Sequence, residues 1–203
     1  GDPMKLTIDG REVLAQKEQS LLSLVRGAGL DSELLSARPL AARIAGEVFT
    51  LNYIPLREKD GEGDRPSMRR AMAASQGVIH LLRCRDSAGR DVYVRTAQFV
   101  MFLALSRLWP KATCTMDCTL GSSVFVSVRG AEDFSAARLK EQVAAIVRQD
   151  IPLLRRNVKK DAAIARYRAQ GREDKARLLA WLDRDSCSEY GYGAYSDNFF
   201  GEM

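Results

Sequence analysis

The sequence predicts an α+β fold in two domains, and three observations carry that expectation. Asp9-Gly10 and Ala45-Gly46 each sit as a turn between short apolar runs. The stretch Val92 to Leu108 is apolar nearly all round. Residues 113–120 alternate strictly, with Cys114, Met116, Cys118 and Leu120 on one face and Thr113, Thr115, Asp117 and Thr119 on the other. The first pattern marks hairpins, the second a buried central helix, and the third a strand. Hydrophobic residues make up 46% of the 203, enough to bury a sizeable core and to exclude a disordered chain.

Gly1-Asp2-Pro3 precedes Met4 and reads as a cloning remnant, residues 1–3, so the elements are taken from Met4 onward. Leu6 and Ile8 alternate with polar neighbours, and Glu12-Val13-Leu14 opens the return strand. Ser20 suits a helix N-cap, Leu21, Leu22, Leu24, Val25 and Ala28 follow at helical spacing, and Gly29 is a stop. Strands are expected at 40–44, 47–51 and 78–82, with a charged loop from Arg57 to Arg70 that contains Gly61, Gly63 and Pro66. The order strand, strand, helix, strand, strand, strand suits a small mixed sheet crossed by one helix, the β-grasp plan.

Ser87-Ala88-Gly89-Arg90 reads as a turn and the domain boundary, dividing residues 4–86 from 87–203. The long helix to Leu108 ends at Trp109-Pro110. Val124, Val126 and Val128 line the strand that pairs with 113–120 around Gly121-Ser122. A helix from Ser135 to Gln149 carries Leu139, Val143, Ile146 and Val147. Residues 153–158 read as a strand, and two short helices split at Gly171 lead to a tail rich in Tyr, Gly and Phe.

Several function classes drop out. No apolar run reaches the roughly 18 residues of a membrane span; Phe99 to Leu108 is interrupted by Ser106 and Arg107. No signal-peptide pattern opens the chain. Four cysteines in a core-forming chain of this size fit a reduced, cytoplasmic setting. No G-x-x-x-x-G-K-[ST] cradle is present.

The net charge of +5 is unevenly spread. From Arg148 to Arg177 there are ten Lys or Arg against four acids. Such a stretch is either a solvated helix face or a surface for phosphate or RNA, bound weakly and electrostatically. Arg155, Arg156, Lys159 and Lys160 are its candidate phosphate contacts. Cys114-x-x-x-Cys118 has zinc-like spacing but lacks a second ligand pair, so the two read as core. His80, the single histidine, has no nucleophile near it in sequence to form a triad. Tyr190, Tyr192 and Tyr195 read either as base-stacking residues or as packing between glycine turns. No catalytic residue, metal or cofactor is expected for the chain itself.

Two segments carry a family resemblance. Residues 4–56, ending in Ala42-Arg43-Ile44-Ala45-Gly46-Glu47-Val48-Phe49-Thr50-Leu51, resemble the TGS domain, the ubiquitin-like module that opens threonyl-tRNA synthetases. Gly89 to Phe99, continuing to Leu108-Trp109-Pro110, resembles the start of the second, editing domain of those enzymes, and Tyr195 to Met203 resembles its closing motif. The resemblance implies a TGS-like β-grasp domain at 4–86, followed by an editing-like α+β domain at 87–203 that is truncated at its end. The departures are specific. The two helix histidines of the family's H-x-x-x-H motif fall on Arg95 and Phe99, and the closing Cys and His fall on Phe199 and Met203. The arginine stays protonated, and the other three offer neither thiolate nor imidazole. Editing chemistry is therefore not expected.

The replacements, Tyr93-x-Arg95-Thr96-x-x-Phe99 and Tyr195-x-Asp197-x-Phe199-Phe200-Gly201, look like those of bacterial nucleoside (uridine) kinase-like proteins. That likeness implies a regulatory or substrate-sensing module whose partner is a missing C-terminal P-loop kinase domain, the part that would take ATP and magnesium. The alternative is an RNA- or tRNA-binding module derived from the synthetase. Arg95 then either grips a nucleotide or other small anionic ligand in the former pocket or pairs with an acid such as Asp197.

Overall fold

The computed structural model describes residues 2–57, 67–120, 123–192 and 195–198. They fall into two compact units that are discontinuous in sequence. The first takes Gly1–Arg95, Arg155–Tyr190 and Asn198–Met203; the second takes Thr96–Leu154 and Gly191–Asp197.

The first unit opens with strands β1 (Met4–Ile8) and β2 (Arg11–Ala15), paired antiparallel. Asp9 and Gly10 both have positive φ, 45° and 79°, the backbone that a two-residue turn needs to match strand twist. Helix α1 (Leu21–Gly27) is capped by Ser20, whose Oγ accepts from Ser23 N at 3.2 Å. The backbone N–H groups of Leu21 and Leu22 donate to the carbonyls of Tyr53 and Leu51, each at 2.8 Å, so this helix start has no orphan donors there.

Strands β3 (Ala41–Ile44) and β4 (Glu47–Thr50) form a second hairpin, with Ala45 and Gly46 again at positive φ. Helix α2 (Met68–Ser75) follows, then β5 (Val78–Leu82). The five strands make one mixed sheet in the order β2-β1-β5-β3-β4, with β1 and β5 parallel. Its buried cluster joins Leu6, Ile8, Ile44, Phe49 and Ile79 to Leu21, Leu24 and Val25 of α1 and to Met68, Ala71 and Met72 of α2.

Helix α2 corrects the expectation of a loop running to Arg70. Arg69 and Arg70 in its first turn face solvent and mask three buried apolar positions at helical spacing.

Helix α3 (Ser87–Leu108) corrects a second expectation, because residues 87–90 are its first turn rather than a free turn. The Arg90 N–H donates to the Asp86 carbonyl at 2.9 Å, and Asp86 Oδ2 accepts from Arg83 N at 2.8 Å. Gly89 is there because the helix start lies against backbone: a Cβ at that position would stand 2.3 Å from the Arg83 carbonyl oxygen. Nor is α3 buried all round. Val92, Phe99, Leu103, Ala104 and Leu105 are buried, whereas Tyr93, Ala97 and Arg107 are exposed.

In the second unit, β6 (Thr113–Leu120) and β7 (Ser123–Arg129) pair antiparallel. The strict alternation expected along β6 is broken by a register shift between Met116 and Cys118. Cys114 and Met116 stand opposite Val128 and Val126, but Cys118 stands opposite Phe125, one position off that line. The expected turn at Gly121-Ser122 lies outside the described residues. Helix α4 (Ala136–Gln149) is capped by Ser135, which accepts from Arg138 N. Of the apolar positions on this helix, Ile146 is buried and Val147 is exposed.

Strand β8 (Leu154–Lys159) leads into helices α5 (Lys160–Ala169) and α6 (Glu173–Ala180), separated at Gly171, whose φ is 73°. Strands β9 (Ser186–Tyr192) and β10 (Tyr195–Asn198) close the chain in a three-stranded sheet of order β10-β9-β8.

Candidate functional site

Arg95 and Phe99 lie one helical turn apart on α3, on the same side of the helix. Arg95 is half-buried. Phe99 is fully buried, and its ring meets that of Tyr195 edge-on, with centroids 5.3 Å apart and planes at 74°. Such a pair contributes roughly 0.5–1.5 kcal/mol beyond area burial. The Phe99 ring therefore fills space beside α3 as a packed aromatic. Phe199 and Met203, the other two expected pocket residues, lie outside the described residues, as does the side chain of Asp197. Among the described residues no group of three or more His, Cys, Asp or Glu is arranged to hold a metal ion.

The four basic candidates separate into two pairs. The Arg155 guanidinium donates to Ser188 Oγ at 3.0 Å and lies 5.8 Å from the Tyr190 ring centre. Lys160 Nζ donates to the Leu182 carbonyl at 3.0 Å, tying the start of α5 to the end of α6. These two cations work inside the fold. Arg156 and Lys159 are exposed on β8. Further along, Arg172 lies over the Tyr167 ring, and Glu173 pairs with both Arg168 and Arg177 at about 3.5 Å. Tyr190 and Tyr192 are buried. Tyr192 OH donates to Gln149 Oε1, and Arg107 stands 5.1 Å from the Tyr192 ring centre, so this ring is engaged in packing.

Sequence reading missed two features. Glu189 is a wholly buried acid whose Oε1 accepts from the Arg166 guanidinium, while Oε2 has no hydrogen-bond partner among the described residues. Its neighbours Ser188 and Tyr190 hid it within a Tyr-Gly tail. The second is Trp181, 88% exposed at the end of α6. A tryptophan at the end of a short helix ordinarily reads as core, and only the folded structure shows it outside.

The Asp133 carboxyl is held below its ordinary value, first by the hydrogen bond donated from the Trp109 indole at 2.9 Å and then by Arg138 at 3.0 Å. Phe134 packs on the same indole, with ring centres 5.0 Å apart, so this corner of the second unit is structural. A recess of about 360 Å³ lies in the first unit between β2 and α1, lined by Arg11, Val13, Gln19, Ser23 and Gly27 among others. None of the sequence-nominated residues lines it.

No protein-family model matches the chain. Among curated proteins it is similar to threonine–tRNA ligases. It is 22% identical to that of Syntrophomonas wolfei over 180 residues, 87% of this chain and 26% of the relative. It is 24% identical to that of Desulforamulus reducens over 170 residues, 82% of this chain and 24% of the relative. With that of Rhodospirillum rubrum it shares 28% over 123 residues, 59% and 19% of the two chains. The chain spans about a quarter of the length of the first two relatives. These matches show distant homology to threonyl-tRNA synthetases and support a synthetase-like domain.

Proposed function

We propose that the chain is an RNA-binding module of threonyl-tRNA synthetase descent that lacks editing chemistry. One observation carries the reading: a single alignment to a threonine–tRNA ligase runs through 87% of the chain, across both compact units. The sheet order β2-β1-β5-β3-β4 with a parallel central pair supports the β-grasp, TGS-like part of the reading. Loss of editing follows from chemistry. A protonated guanidinium at 95 and a buried phenyl ring at 99 provide neither a metal ligand nor a general base. RNA contact falls to the exposed cations of the basic stretch, Arg156 and Lys159 first. The cytoplasm is the expected compartment; no helix among the described residues is long and apolar enough to cross a membrane.

A second reading rests on Tyr93-x-Arg95-Thr96-x-x-Phe99 and the segment 195–201. It makes the chain the amino-terminal module of a uridine-kinase-type protein, with a nucleotide or small anion at Arg95 and with ATP and magnesium on a separate P-loop domain. It takes no support from the ligase matches.

The test is titration of the purified chain with tRNA at two salt concentrations, together with a deacylation assay on mischarged threonine tRNA. Salt-sensitive binding that weakens in Arg156→Ala/Lys159→Ala, with no deacylation, is the expected result. Binding that ignores salt, no binding, or measurable deacylation refutes the reading. In the genome, a P-loop encoded directly after residue 203 favours the kinase reading.

A further inference from the structure

We infer that Trp181 is a stacking platform for an unpaired RNA base, with Arg177 holding the adjoining phosphate; the inference rests on the RNA-binding reading above. Helix α6 has two unlike sides. Ala176 and Leu179 are buried with Tyr167 and Ala163 of α5, and Arg177, Leu178 and Trp181 face outward. Leu178 is 52% exposed and Trp181 88%. The chain has two tryptophans, and the other, Trp109, is 6% exposed with its indole N–H bonded to Asp133. Three residues apart on one side of the helix, Leu178 and Trp181 form a contiguous exposed apolar patch, which offers a contact surface.

The surroundings select the partner. Arg177 lies four residues before Trp181 and shares its side of the helix. Its ion pair with Glu173, at 3.6 Å, is a solvent-exposed pair of the kind that contributes little and gives way to a phosphate. The ring itself sits at the carboxyl end of α6, the negative pole of the helix, and Asp183 follows. An uncharged base face suits that spot, and a phosphate suits Arg177 one turn back. Residues 160–180, which make up α5, α6 and their link, carry six Lys or Arg against three acids, a balance that favours a polyanion. Two apolar side chains ringed by charge do not make the apolar centre of a standard protein interface.

The experiment titrates the chain with an oligouridylate about twelve nucleotides long, reading tryptophan emission and its quenching by acrylamide. Duplex RNA of equal length and inorganic tripolyphosphate are the comparisons. Wild-type emission should be quenched, and acrylamide access lost, with the single strand alone. Trp181→Ala should weaken binding by roughly five- to a hundredfold with an unchanged salt slope, because no charge is removed. Trp181→Phe should bind between the two, and Arg177→Ala should lower the slope. At 88% exposure neither variant at 181 threatens folding, which circular dichroism checks. Equal affinity of wild type and Trp181→Ala, equal quenching by tripolyphosphate or duplex, or a Trp181-dependent dimer without oligouridylate binding each overturns the assignment. If tRNA binds and Trp181→Ala changes nothing, the site alone fails. If neither tRNA nor oligouridylate binds, the RNA reading fails with it.

Discussion

Replacing Gly89 by alanine sets two effects of opposite sign against each other. In a helix, alanine is favoured over glycine by about 1 kcal/mol. Against this, the new Cβ would stand 2.3 Å from the Arg83 carbonyl oxygen, 2.9 Å from its carbon and 3.0 Å from its nitrogen. Carbon approaches a carbonyl oxygen to about 3.3–3.6 Å even in a favourable contact, so the overlap is about 1 Å. Residue 83 has little room to yield. Its N–H is held by Asp86, and its side chain by Asp9 at 3.2 Å and by the Ala37 carbonyl at 3.2 Å. An overlap this large on fixed backbone belongs to the upper part of the overpacking range, about 2–3 kcal/mol, and outweighs the propensity gain. Gly27 is the internal control. It too is helical, and nothing lies within 4 Å of its missing Cβ. Gly27→Ala should raise stability by up to about 1 kcal/mol, and Gly89→Ala should lower it by about 1–2. In thermal melts, where 1 kcal/mol moves Tm by roughly 2–4 °C at this size, the two variants should shift in opposite directions. A Gly89→Ala protein as stable as wild type would refute the claim that backbone contact fixes the start of α3.

Three further outcomes follow from the packing. Phe99→Ala should cost about 3–5 kcal/mol in a denaturant titration, and Phe99→Leu clearly less; a near-neutral alanine variant would mean that the ring does not fill the pocket. Arg166→Ala leaves the Glu189 carboxylate buried without its cation; Arg166 is a third exposed, so the loss should be about 2–3 kcal/mol rather than the full value for a buried pair, and a loss below about 0.5 would contradict the pairing. The Asp133 carboxyl has a folded pKa below its ordinary value, so its contribution is fully present above the usual carboxylate range and is lost as pH falls through the lowered value. Wild type should therefore exceed Asp133→Asn in stability at pH 7, and the difference should close in acid, read as denaturation midpoints at several pH values.

What the sequence made legible is local. Asp9-Gly10, Ala45-Gly46 and Ser20 announce their turns and cap through local backbone needs. Helix α2 was hidden because its first turn carries two arginines and only three of its residues are buried. The register shift in β6 leaves no trace in an alternating string, since alternation says which residues share a side only while pairing stays in step. At the candidate site, the sequence placed Arg95 and Phe99 one turn apart on a helix, as they are found. The ring that meets Phe99 and the outward turn of Trp181 depend on tertiary packing and were not legible there.

The apolar clusters also differ in when they can form. The cluster of the five-stranded sheet draws its buried members from Leu6 to Leu81 and is complete once β5 has been made. The cluster around Tyr167 needs Cys187, more than a hundred residues later in the chain. During synthesis the sheet can thus close on itself while the α5–α6 hairpin is still unmade, and domains built from the amino terminus generally do fold in that order. A ribosome stalled once β5 has emerged should already display a protease-resistant sheet, whereas α5 and α6 would gain protection only after β9 emerges.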